Sequence, residues 1–151
     1  MNLPTMTASV MREGESEQGI VWNILGQTYK PLQLSEASFA FDTLFPPGTF
    51  VPPHIHPTQD EFIRVIEGNF ELILDGQPGT AKAGDLIRLP RGIAHGIFNR
   101  SEAPVRALFW VAPALRLFQL FTQLHNLADP AEVVRLAALH DVNFLPPPSE
   151  G

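Results

Sequence analysis

The sequence predicts an all-β domain, a sandwich or barrel of short strands, followed by a C-terminal pair of α-helices. Three observations carry this. Strand-like runs alternate with Gly/Pro punctuation from Ile20 to Ala112, the periodicity becomes helical after Pro113, and 151 residues with 44% hydrophobic content supply one core. At this length folding removes roughly 68–70% of the unfolded chain's surface from water, so neither a disulfide nor a structural metal is needed. A metal found here would be functional.

Residues 1–19 read as an N-terminal arm, polar and small from Met1 to Glu15, with no basic start leading into an apolar stretch. The strand candidates are Ile20–Leu25, Tyr29–Leu34, Ser38–Phe45, Glu61–Ile66, Phe70–Asp75, Asp85–Leu89, His95–Asn99 and Val105–Val111. Alternation is clearest in Phe70-Glu71-Leu72-Ile73-Leu74-Asp75, where Phe70, Leu72 and Leu74 share one face. Glu67-Gly68-Asn69 is a tight hairpin connection, and Asp75-Gly76 and Gly84-Asp85 mark further turns. So many short strands in residues 20–112 imply a closed or nearly closed sheet. Helices are expected over 113–142: Leu115, Phe118, Phe121, Leu124 and Leu127 recur at helical spacing, and Asp129-Pro130-Ala131-Glu132 starts a second helix running to about His140. Residues 143–151 are expected to form a flexible tail.

Sixteen acidic against ten basic residues give a net charge of -6, which disfavours a surface that tracks phosphates and argues against nucleic acid as partner. The absence of cysteine removes thiol nucleophiles and thiolate metal sites. It also fits a reducing, cytoplasmic location. The longest apolar region, Val105 to Phe121, is broken by Arg106, Pro113 and Arg116, so no membrane span is expected.

The chemistry concentrates around His54-Ile55-His56. Residues two apart on an extended strand project the same way, and Pro52, Pro53 and Pro57 stiffen this segment. Glu61 follows after enough chain to turn back, and His95 follows a turn at Pro90-Arg91-Gly92 that could aim a third imidazole at the pair. Three imidazoles and a carboxylate suit a divalent first-row metal: manganese, iron, cobalt, nickel, copper or zinc. Four such ligands leave about two positions of a six-coordinate ion open for a small-molecule substrate.

These residues also stand in a known frame. Gly48, five residues, His54, one residue, His56, four residues, Glu61, six residues, Gly68 resembles the first signature motif of the cupin superfamily in full. Gly84, five residues, Pro90, one residue, Gly92, two residues, His95, three residues, Asn99 resembles the second. The resemblance spans Gly48–Asn99 and, through the flanking strands, about residues 20–112. It implies an antiparallel jelly-roll barrel with His54, His56, Glu61 and His95 as metal ligands, and small cupins of this kind are commonly homodimers. Pro53-His54-Ile55-His56 with Asp60-Glu61-Phe62, and Pro90-Arg91-Gly92-Ile93-Ala94-His95 with Phe98-Asn99, look most like the quercetin 2,3-dioxygenase-like group. The implied activity is a dioxygenase acting on an aromatic or enolisable, flavonol-like molecule, with Glu61 as catalytic base. The alternatives are non-oxidative isomerase, decarboxylase or lyase chemistry, or ligand binding without catalysis.

Strand parity places Ile63, Val65 and Ile97 on the inward side with Glu61 and His95, and turns Asp60 and Arg64 away. Phe41, Phe109 and Trp110 are candidates for the pocket wall. Gln59 shares the parity of Glu61, which would let it act as a hydrogen-bond donor behind the ligands, but it reads first as a turn residue. Arg64, Arg88 and Arg91 are the only candidate cations near the site, so the pocket is expected to be apolar around its metal. His125 and His140 read as surface or packing residues, and Asn99 as the end of a strand.

Overall fold

Burial alternates along the strands with a period of two, and this sorts the side chains into an inner and an outer set. In the computed structural model, which describes residues 6–146, the clearest cases are β3 (Phe39–Phe45) and β10 (Val105–Ala112). Phe39, Phe41, Phe45, Val105, Ala107, Phe109 and Val111 all point inward and are buried. The remaining strands are β1 (Trp22–Ile24), β2 (Gln27–Leu34), β4 (Phe50–Ile55), β5 (Asp60–Glu67), β6 (Asn69–Leu74), β7 (Gln77–Lys82), β8 (Leu86–Leu89), β9 (His95–Phe98) and β11 (Asn143–Phe144). Two helices, α1 (Leu117–Leu124) and α2 (Pro130–Leu139), precede β11.

The strands form two antiparallel sheets, one in the order β1-β2-β3-β10-β5-β8 and the other β11-β4-β9-β6-β7. From β3 to β10 the chain changes sheet at nearly every connection, the β6–β7 hairpin being the exception. Consecutive strands therefore face rather than pair with one another. This agrees with a jelly roll but corrects the expected closed barrel: among the described residues no ladder joins the edges of the two sheets.

The sheets enclose a core rich in aromatic rings. Phe41 and Phe121 lie 5.0 Å apart, Tyr29 and Phe121 5.1 Å, Trp22 and Phe118 5.1 Å, and Phe45 and Phe70 5.0 Å. Each such ring contributes on the order of 1.5–3 kcal/mol by leaving water. Because Phe118 and Phe121 belong to α1, the first helix packs as part of the core. At Gly68, with φ of +87°, an added Cβ would stand 2.9 Å from the Pro104 carbonyl oxygen, so the turn between β5 and β6 admits glycine alone.

Several element boundaries differ from the sequence reading. β7 escapes it because Pro78 and Gly79 read as a turn, yet both sit in an edge strand, where proline's missing N–H is harmless. α1 begins at Leu117, after Leu115 turns left-handed with φ of 44°. α2 follows the expected cap, Asp129 accepting a hydrogen bond from the Ala131 N–H at 3.1 Å. Residues 143–146 are not a loose tail: Asn143 and Phe144 pair with Ile55 and His54, and the Leu145 N–H donates to the Pro53 carbonyl at 3.0 Å. The rest of the expected tail, 147–151, and the first five residues of the arm lie outside the described residues. The described arm touches the outer sheet face through a Glu13–Arg106 ion pair at 2.8 Å. Among the described residues no helix is long and apolar enough to cross a membrane.

Candidate metal centre

Three strands from both sheets converge at one end of the cavity. His54 on β4 stands opposite His95 on β9 in the ladder, with ring centroids 4.2 Å apart. His56 lies just past β4, where its carbonyl accepts the Gly92 N–H at 2.9 Å and so ties it to the Pro90–Gly92 turn. Glu61 reaches in from β5 in the facing sheet. One ligand atom from each of His54, His56, Glu61 and His95 lies within 4.8 Å of the others, and all four side chains are buried. The sequence-predicted set is thus brought together.

Hydrogen bonding fixes what these atoms offer. His54 Nδ1 lies 2.9 Å from the Pro52 carbonyl and His95 Nδ1 3.4 Å from that of Ile93; a carbonyl can only accept, so the ring protons sit on Nδ1. His56 Nδ1 lies 3.0 Å from Gln59 Oε1. The Gln59 amide can be oriented only one way, because its Nε2 donates to the carbonyls of Pro113 and Ala114 at 3.0 and 2.8 Å. All three imidazoles therefore direct an Nε2 lone pair into the site.

Those lone pairs meet a carboxylate. Glu61 Oε2 lies 2.9 Å from His95 Nε2 and 3.4 Å from His56 Nε2. Glu61 Oε2 and His95 Nε2 are buried without a hydrogen-bond partner. Their 2.9 Å approach is a contact between acceptors in this tautomer rather than a bond. A shared proton could relieve one such pair, but only a cation at the centre satisfies all four acceptors together. The donor set fits the divalent metal that the cupin motifs imply.

The electrostatics agree. Burial alone would raise the Glu61 carboxyl, but positive charge at the facing ring positions, His56 foremost, overrides it and holds the group down to about 2, the role a bound cation fills when the rings are neutral. Burial pushes the His54 imidazole well below its ordinary value, and the neighbouring His95 and His56 push it further. Tyr29, in the cavity wall, has its phenol raised by burial and by the Glu61 charge, so it stays protonated and donates to Gln27 Oε1 at 2.8 Å.

Beyond the cluster the wall is hydrocarbon. Ile97 lines it as strand parity predicts, the candidates Phe41 and Phe109 line it as well, and α1 adds Leu117, Leu120, Phe121 and Leu124 from above. Among the described residues no lysine or arginine lines it. Trp110 does not join the wall: it occupies the outward parity of β10 and stacks on Phe62, with centroids 5.3 Å apart. Asp60 also faces out, accepting hydrogen bonds from the Arg91 backbone at 2.9 Å and its guanidinium at 3.3 Å, so the pair fastens the Pro90–Gly92 turn from outside. Asn99 is buried and does more than end a strand, donating across the fold to the Phe45 carbonyl at 2.9 Å. Sequence parity puts Gln59 on the inner side, but nothing local reveals its bonds to residues fifty positions away. His125 accepts the Asn23 N–H at 2.9 Å, a packing role outside the cluster.

Comparisons with known proteins agree with this geometry. A model of the cupin domain matches residues 41–111. The tetracenomycin polyketide synthase protein TcmJ of Streptomyces glaucescens is 31% identical over 67 residues, which cover 44% of this chain and 45% of that protein. The chain thus spans about half the length of the first curated relatives it matches. A germin-like protein of Morus alba is 32% identical over 79% of this chain and 74% of its own length. In structure, KdgF from Halomonas sp. superposes with a TM-score of 0.62 over 71% of this chain and 94% of that one, at 24% identity. These relatives support the superfamily and not the quercetin dioxygenase-like grouping within it. With both motifs in frame, four ligands convergent and a relative matched over most of its length, the chain belongs to the cupin superfamily.

Proposed function

We propose that the protein is a metal-dependent oxygenase acting on an apolar aromatic or enolisable molecule. The observation that carries this reading is a three-histidine, one-glutamate cluster placed at the end of a cavity whose wall is otherwise apolar and aromatic. Such a wall recognises ring faces, whereas a sugar acid or phosphate ester would call for convergent cations that it lacks. Similarity to polyketide synthase proteins fits an enolisable poly-ketone as the substrate class.

His54, His56, Glu61 and His95 would hold the metal, which when bound supplies Lewis acidity and, if redox-active, the electron exchange that dioxygen chemistry needs. The protein's own groups do the rest. The Nδ1–H bonds to Pro52, Gln59 and Ile93 keep the rings turned inward. Phe41, Phe109 and Phe121 exclude water and present faces for a planar ring. Glu61, whose carboxyl is buried at the end of the apolar cavity, accepts the substrate proton, which suits an enol or phenol substrate.

Oxygen uptake with flavonol, catechol and β-diketone compounds tests this reading. Glu61→Gln is expected to lower turnover more than it lowers metal content; equal losses would leave Glu61 a ligand only. Turnover that survives anaerobic conditions and zinc substitution would reassign the protein to non-oxidative isomerase, decarboxylase or lyase chemistry. Saturable binding without product would make it a binding protein.

A further inference from the structure

We propose that Gln59 is a positioning residue that couples the helical cap over the cavity to the metal ligand His56. The inference rests on the reading of the four-residue cluster as a metal centre, but not on the reaction assigned to it. Gln59 is 3% exposed, and its amide is fully committed. Oε1 accepts from His56 Nδ1, and Nε2 donates to the Pro113 and Ala114 carbonyls. Those two carbonyls lie three and four residues ahead of α1, whose Leu117, Leu120, Phe121 and Leu124 roof the cavity. One planar amide therefore joins the hinge of the roof to a ligand ring.

The cavity gives this link a use. Its volume is about 60 Å³, well below the ~300–1,000 Å³ of pockets that hold ring-sized ligands. A substrate of that size enters only if the roof moves. Displacement of residues 113–114 withdraws both acceptors from Gln59 Nε2, and the freed amide no longer has one required orientation. His56 then loses the constraint that keeps its proton on Nδ1 and its lone pair toward the metal. By linkage the reverse also holds, so a metal that fixes His56 steadies Gln59 and, through it, the start of α1.

Cobalt(II) alone, added to the full-length protein, tests this without any turnover assay. In the wild type, saturating cobalt(II) should slow hydrogen exchange at the α1 amides beyond any slowing in the edge strand β7, which pairs with no ligand-bearing strand. Gln59→Leu, which keeps the shape but removes both hydrogen-bonding ends, should bind cobalt(II) about 10- to 100-fold more weakly, with an altered ligand-field spectrum. At saturation its α1 amides should show no selective slowing. Gln59→Glu keeps an acceptor for His56 but has no donor for the two carbonyls; it should bind cobalt(II) no more weakly than wild type while losing the α1 response. The proposal is overturned if wild-type α1 exchange ignores cobalt(II), a measurement that stands even if a variant fails to fold, or if Gln59→Leu matches wild-type affinity. Wild-type protein that takes up no cobalt(II) would overturn the metal centre itself, and oxygen-independent turnover would overturn only the oxygenase reading.

Discussion

The metal cluster and the helical cap face each other across one cavity, yet opposite forces hold them. Around the cluster every outer ring nitrogen is hydrogen-bonded, to Pro52, Gln59 or Ile93. The cap's inner face consists of Leu117, Leu120, Phe121 and Leu124, which pack by shape and exclusion from water. Directional bonds specify atom positions to a fraction of an ångström, whereas apolar contacts tolerate exchange of one side chain for another of similar volume. The cluster is therefore the part built for a defined ligand geometry, and the cap is the part whose residues can change which substrate is admitted.

The largest expected effect breaks the cluster and leaves the cap intact. His95→Ala removes an inward lone pair and opens space beside Glu61, and metal affinity should fall by more than about 100-fold, beyond the usual cost of losing an outer partner. Elemental analysis and isothermal titration measure this. The circular dichroism spectrum should keep its helical signal, because α1 draws its packing from Trp22, Tyr29 and Phe39 rather than from the ligands, and α2 packs on α1 and β11. Loss of helix together with metal would show that the two regions fold as one unit.

The converse experiment attacks the cap. Phe121 touches Trp22, Tyr29, Phe39 and Phe41 with centroids 5.0–6.0 Å away. Phe121→Ala should destabilise the fold by about 3–5 kcal/mol, the range for aromatic truncation in a core, as read by denaturant unfolding. Its metal affinity should stay within a few-fold of wild type. The enlarged cavity should also admit bulkier apolar ligands, which a shift in tyrosine or tryptophan fluorescence would report.

How much of this was legible in the sequence follows the same division. His54, His56, Glu61 and His95 could be identified because ligand geometry demands residue types at set offsets, and glycine and proline mark the turns that aim them. Most strands were legible from alternation. β7 was not, because its Pro78 and Gly79 are turn-formers that an edge position tolerates. The open arrangement of two sheets was not, because strand order depends on pairings between residues far apart in sequence. Residue type alone makes Trp110 a candidate for the pocket wall without fixing its facing, and its parity on β10 points outward. The roles of Gln59 and of Phe144, whose ring lies 5.4 Å from His54, depend on chain returns of many residues and leave no local pattern.

Acid should separate the two regions by a smaller margin. In the metal-free protein the His54 imidazole is held well below its ordinary 6.5 by burial and by neighbouring imidazoles, so the unfolded chain takes up a proton that the folded one refuses. The stability tied to that group is present above pH 6.5 and lost as pH falls below it. Glu61, held down to about 2 against an ordinary 4.5, adds a second window: its contribution is present above pH 4.5 and lost as pH falls toward 2. Each group can contribute a slope of at most about 1.4 kcal/mol per pH unit. The Leu and Phe side chains of the cap's inner face carry no ionisable atoms and supply no such slope. Urea unfolding of metal-free protein between pH 7.5 and 5 should therefore show falling stability in the wild type and a flatter profile in His54→Phe, which removes the proton acceptor. Equal slopes in the two proteins would place the acid-sensitive groups outside the cluster.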